Sequence, residues 1–185
     1  MIIPEITDSK TTYEGKLITI RVDKLSRDGG KQFVREIAEV SDSVAISAID
    51  QQQRILLIRQ YRHPMKRPVW EIPAGRIDNL EEDPKDTALR ELREEADVLA
   101  EKIQLMTVFG NSVGWTTERT YVYIAHDLKG TTEYERHNEE IDIEKIWIPI
   151  EEAQNMVADG SIDDSKTIIG ILLAGKFINQ PNVYE

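Results

Sequence analysis

The stretch from Pro84 to Leu99, PKDTALRELREEADVL, constrains this chain more than any other. At about 100° per residue, Leu89, Leu92, Ala96 and Leu99 fall within roughly 80° of arc, which predicts an amphipathic helix over Pro84–Leu99. That side must be buried against a second layer of structure. Pro84 suits the first turn, where a missing N–H is no loss. Glu91, Glu94 and Glu95 fall within about 100° on a largely separate side of the helix. Like charges at these spacings repel by a few tenths of a kcal/mol per pair, roughly, in an otherwise empty helix. A divalent cation removes the repulsion, because a hard ion such as Mg²⁺ takes carboxylate oxygens at about 2.1 Å. The same acids also read as a solvated face carrying Arg90–Glu94 and Arg93–Asp97 ion pairs. Taken alone, the helix favours the solvated face, because Glu-rich helix surfaces are common. Just upstream, Ile72-Pro73-Ala74-Gly75 reads as a strand end breaking into a glycine loop, where backbone carbonyls can approach an ion.

Strands surround this helix in the sequence. Leu17–Val22 and Phe33–Val40 alternate, and Ser26-Arg27-Asp28-Gly29-Gly30 between them suits a hairpin turn. Val44–Ile49 and Ile55–Ile58 are apolar and β-branched, as central strands are. Arg59–Trp70, with two prolines and several cations, is expected to be an exposed basic loop. Ile103–Phe109, Arg119–His126 and Ile146–Ile150 read as further strands. Ile150–Val157 and Ser165–Ile178 read as helices, the second capped by Asp163 or Asp164. This order predicts a mixed α/β layered domain, with the N-terminal hairpin as a separate small sheet.

Composition narrows the function. The net charge of −11 repels phosphate backbones and anionic lipid, so nucleic acid and membranes are poor first candidates as partners. A small phosphorylated substrate needs a cation to neutralise it locally. The absence of cysteine removes disulfides, thiolate catalysis and cysteine metal sites. MIIPEITDSK lacks a basic segment followed by an apolar run, and no apolar stretch approaches the ~20 residues of a bilayer span. A cytoplasmic protein is expected.

Gly75…Glu82…Arg90-Glu91-Leu92-Arg93-Glu94-Glu95-Ala96-Asp97-Val98 resembles the Nudix box, G-x5-E-x7-R-E-U-x-E-E-x-G-U with U apolar. Two departures stand out. One extra residue lies in the Asp78-Asn79-Leu80-Glu81 loop, leaving Glu81 as a rival to Glu82. Asp97 replaces the final glycine, at a helix end where a left-handed residue other than Gly costs roughly 1 kcal/mol. The resemblance implies a Nudix-type α/β/α sandwich with a mixed sheet over residues 43–185, and a small N-terminal antiparallel sheet over residues 1–42. It further implies Mg²⁺ or Mn²⁺ held by Glu91, Glu95 and Glu94 with the Ala74 carbonyl, and a supporting ion pair between Arg90 and Glu82 beside Gly75.

Beyond the box, Tyr13-Glu14-Gly15-Lys16, Arg59-Gln60-Tyr61-Arg62 and Trp70-Glu71-Ile72-Pro73-Ala74-Gly75 resemble the ADP-ribose pyrophosphatase subgroup. That likeness implies a homodimer that exchanges or packs its N-terminal sheets. It implies Arg35 and Arg62 on the nucleotide or its phosphates, with Glu71, Trp115 and Glu118 near the substrate. A core position is the alternative for Trp115. Ser112-Val113-Gly114-Trp115-Thr116-Thr117-Glu118 resembles the subgroup's loop after the box, with Val113 where its marker proline falls. Glu139, narrowly ahead of Glu140, is the implied general base, and Glu95 is implied in the chemistry as well as the metal. The expected reaction is Mg²⁺-dependent cleavage of a nucleoside diphosphate sugar, ADP-ribose giving AMP and ribose 5-phosphate. The alternatives are another nucleotide sugar such as GDP-mannose, or a non-catalytic nucleotide-sugar sensor.

Overall fold

The computed structural model describes residues 2–79, 81–131 and 143–179. The chain forms two compact units, Met1–Asp42 with Phe109–Arg119, and Ser43–Val108 with Thr120–Glu185. In the first, β1 (Glu5–Glu14), β2 (Ile18–Ser26) and β3 (Phe33–Val40) make an antiparallel sheet in that order. The β2–β3 hairpin is the expected one, and Asp28 and Gly29 take positive φ in its turn. β1 was not expected. Its sequence, EITDSKTTYE, carries no apolar alternation, and polar cross-strand contacts hold it instead. Ser9 Oγ donates to Asp23 at 2.7 Å, and Lys24 pairs with Asp8 at 2.9 Å. Within the same unit the Phe109–Arg119 segment runs beside β3: the Ala38 N–H donates to the Trp115 carbonyl and the Thr117 N–H to the Ala38 carbonyl.

The second unit holds β4 (Ser43–Ala48), β5 (Arg54–Arg62), β6 (Arg67–Glu71), β7 (Ala74–Arg76) and α1 (Pro84–Ala96). β8 (Val98–Gly110), β9 (Arg119–Gly130), β10 (Glu144–Pro149), α2 (Ile150–Ala158) and α3 (Ser165–Asn179) follow in the chain. One mixed sheet has the order β7-β4-β9-β8 and a second the order β10-β5-β6. The two expected central strands, β4 and β5, therefore lie in different sheets, linked by a bridge between Ile49 and Ile55. Alternation along β4 serves two cores. Val44, Ile46 and Ala48 pack with Ala88, Leu92 and Ala96 of α1, while Ala45 and Ile49 pack with Ala153 of α2 and Ile171 and Ala174 of α3. This is the α/β/α layering expected from the sequence.

Two expectations need correction. Arg59–Trp70 is not a loop: β5 and β6 pair antiparallel through it, with Tyr61 opposite Pro68. Pro68 is tolerated because β6 is an edge strand, and Arg59 lies 5.3 Å over the Trp70 ring. The helix stops at Ala96, so Leu99 falls on β8 and is exposed, while Leu89 is half-buried. Asp97 ends it in the left-handed conformation at φ 56°, as its place in the motif suggested, and Lys145 holds its carboxylate at 2.6 Å. Asp83 caps the other end by accepting the Lys85 N–H. Of the two candidates for capping α3, Asp164 accepts the Thr167 N–H at 3.0 Å. Among the described residues, no helix is long and apolar enough to cross a membrane.

Candidate functional site

α1 delivers Glu91 and Glu95 one turn apart toward β7, and the close approach is set by Gly75. A Cβ built on Gly75 would overlap the Glu91 carboxyl group, so only a residue without a side chain lets that carboxylate lie against the strand. Glu95 is more deeply placed, at 9% exposure. One of its oxygens accepts the Ala74 N–H at 2.8 Å, and the other faces the Gln60 amide at 3.4 Å. What Ala74 directs at Glu95 is thus its N–H. Glu95 is not on a separate solvated side of the helix, as the wheel suggested; it is buried between α1 and the β7 strand end.

Arg90 gathers the remaining acids. Its guanidinium lies 2.8 Å from Glu91, 2.8 Å from Glu94 and 4.0 Å from Glu82. The Arg90–Glu94 pair expected of a solvated face is therefore present, and so is the Arg90–Glu82 pair expected from the resemblance. The Glu81 N–H is spent on Asn79 Oδ1, and Glu82 is the one facing Arg90.

Burial pushes the Glu95 carboxyl up to about 7, opposed by the Ala74 N–H and reinforced by the Glu91 charge. Burial likewise pushes Glu91 up to about 7, opposed by Arg90 and reinforced by Glu94. Among the described residues, no three His, Asp or Glu side chains converge as a ready-made cation shell. The residues nonetheless fit a divalent ion in their chemistry. Two desolvated carboxylates stand one turn apart, their charges mutually unfavourable, and a hard cation is what stabilises both in ionised form.

A pH dependence follows. Both groups are raised in the folded chain, so between about 4.5 and 7 the native state holds protons that the unfolded chain has released. Stability of the metal-free protein should therefore fall as pH rises through that window and level off above it. Thermal unfolding followed from pH 4.5 to 8 checks this. Glu95→Gln should flatten the slope, and an unchanged slope would contradict the assignment.

A second cluster adjoins the first. Glu71, only 3% exposed, takes Arg62 at 2.8 Å and Lys166 at 3.0 Å, and Lys166 also reaches Asp164 at 2.9 Å. The Gln60 amide donates to Glu71 at 3.2 Å. Arg62 and Glu71, both expected near the substrate, are thus brought together as an ion pair. Sequence reasoning missed Gln60 and Lys166. Period-two alternation along β5 puts Gln60 and Arg62 on one face and signals the first; no local pattern signals the second.

In the first unit, Arg35 and Trp115 line a cavity of about 540 Å³ with Ile20, Val34 and Ile37. Trp115 is 60% exposed, which removes the core alternative. Arg35 lies 4.9 Å over the Phe33 ring and donates to the Val34 carbonyl. Glu118 is half-buried, its N–H held by Thr116 Oγ1. Glu139 and Glu140 lie outside the described residues.

Comparison with known proteins adds four findings. The NUDIX domain family matches residues 40–168. An ADP-ribose pyrophosphatase of Mycobacterium tuberculosis is 38% identical over 168 residues, 91% of this chain and 81% of that protein. One from Bacillus subtilis is 33% identical over 159 residues, covering 86% and 85%. A solved structure described as an ADP compounds hydrolase superposes with a TM-score of 0.84 at 18% identity, covering 97% of this chain and 96% of that one.

Proposed function

The chain belongs to the Nudix family, and from that premise we propose that it hydrolyses the diphosphate of a nucleoside diphosphate sugar, ADP-ribose first, to AMP and ribose 5-phosphate. The observation that carries the reading is the pair of desolvated acids, Glu91 lodged against Gly75 and Glu95 held by the Ala74 N–H. Glu91, Glu95 and Glu94, with the Ala74 carbonyl, would hold Mg²⁺ or Mn²⁺. Such ions, when bound, supply charge neutralisation of the diphosphate and acidify a water.

The rest of the reaction is assigned to the chain. Glu95 keeps its orientation through the Ala74 N–H, and Arg90 holds Glu91 and Glu94 from outside. Glu139, with Glu140 as the alternative, takes the proton of a water attacking one phosphorus. A new P–O bond forms there, the bridging P–O bond breaks, and the other phosphate leaves. Arg35 and Trp115, which line the cavity in the first unit, are assigned with Glu118 to the nucleotide or ribose. Arg62 and Glu71 are assigned to the substrate-facing edge of the second unit.

Val113, in place of the subgroup's proline, favours testing other nucleotide sugars alongside ADP-ribose. Phosphate released after phosphatase coupling, with Mg²⁺, from ADP-ribose, GDP-mannose and related compounds should be largest for ADP-ribose, by about tenfold or more. A larger rate with GDP-mannose would replace the substrate, and no turnover across the panel would favour a sensor.

We further assign residues 1–42 to a lobe exchanged or packed across a homodimer, and 43–185 to the catalytic domain. The support is β1, exposed along its whole length with Ile6 and Tyr13 open. A solution mass of twice 21.2 kDa is expected, and a monomer's mass would refute it.

A further inference from the structure

Gln60 of β5 stands between two buried carboxylates of different standing. Its Nε2 lies 3.2 Å from Glu71 and 3.4 Å from Glu95. Glu71 is immobilised: Arg62 and Lys166 neutralise it from two elements, and Lys166 is itself tied to Asp164, which caps α3 through Thr167. Among the described residues no cation forms an ion pair with Glu95, and Arg62 acts on it only through longer-range charge. Its hydrogen-bond partners there are one backbone N–H and the Gln60 amide.

An amide presents two N–H groups on one nitrogen and no charge. It can therefore donate to both carboxylates without competing for a cation or neutralising the one that must bind it. A Lys or Arg at position 60 would pair with Glu95 and oppose metal entry; an apolar residue would leave one Glu95 oxygen undirected. We propose that Gln60 is a positioning residue for the metal site, transmitting the fixed geometry of the Arg62–Glu71–Lys166 cluster to the Glu95 carboxylate. This rests on the reading of Glu95 as a metal ligand given above.

The test measures Mn²⁺ binding directly, by electron paramagnetic resonance of the free ion against protein without substrate. The proteins are the full chain and its Gln60→Met, Gln60→Asn and Glu95→Gln variants. Met keeps length and flexibility and removes both donors. Asn keeps the amide but is one methylene too short to span both carboxylates. Gln60→Met should weaken Mn²⁺ binding about 10- to 100-fold, as loss of an outer-shell partner does, and Asn should fall between it and the parent. The unfolding midpoint without metal should stay within about 4 °C of the parent for both, since Gln60 is only half-buried.

Mn²⁺ binding by Gln60→Met equal to the parent, while Glu95→Gln binds poorly, would overturn the role of Gln60 and leave the metal site standing. Parent-like binding by Glu95→Gln would instead overturn the metal site. Should Gln60→Met fail to fold, the Asn variant decides by the same criterion.

Discussion

Glu95→Gln should lower diphosphate hydrolysis by about a thousandfold or more, while leaving the metal-free protein folded. The amide has the shape of the carboxylate and can still accept the Ala74 N–H, so packing at the end of β7 is preserved. What disappears is the charge of the most deeply placed acid. That charge is costly in the absence of a cation, as the upward displacement of Glu95 by burial records. The variant should consequently be more stable than the parent above pH 7 without metal, by roughly 1–2 kcal/mol, and gain less from added Mg²⁺. Steady-state rates with saturating Mg²⁺ and paired unfolding curves measure both effects. Activity within tenfold of the parent would remove Glu95 from the metal site.

Gly75→Ala should be the second most damaging change, and for a different reason. Gly75 has no positive φ, so the backbone tolerates alanine there; the obstacle is space. The added methyl occupies the position of the Glu91 carboxyl group, which must swing away from β7. A ligand displaced by an ångström costs on the order of a hundredfold in rate. The stability loss should be about 1–3 kcal/mol, typical of overpacking. A double-mutant cycle isolates the cause: in a Glu91→Ala background the methyl has room, and Gly75→Ala should add little. An equal penalty in both backgrounds would mean that Gly75 acts through something other than Glu91.

The sequence announced α1 and its acids clearly, because 3.6-residue periodicity and the glycine loop are local patterns. Burial of Glu95 was not legible: a helical wheel sorts residues by angle and does not know that β7 lies beside the acidic side. Strand β1 escaped for a related reason, since Thr7, Ser9 and Asp8 stabilise it through polar partners on β2 that leave no apolar alternation. The β5–β6 hairpin was hidden by its prolines: Pro64 sits in the connecting turn and Pro68 on an edge strand that accommodates it. The Glu71 cluster joins β5, β6 and α3 across almost a hundred positions of chain, and only the fold brings Lys166 to Glu71. Glu91, Glu94, Gly75, Arg90 and Glu82 were expected near one another, and the structure gathers them, with Arg90 engaging two of the metal-assigned acids.

The proposed role of these crowded acids is to take up divalent cations that bind a diphosphate. A crystal structure of the protein with Mg²⁺ and a non-hydrolysable ADP-ribose analogue tests it most directly. Mg²⁺ should be bound by oxygens of Glu91 and Glu95, with the analogue's phosphates on the same ions. Glu91, Glu94 and Glu95 still engaged only by Arg90, Gln60 and the Ala74 N–H, with the analogue bound elsewhere and no cation between them, would contradict it.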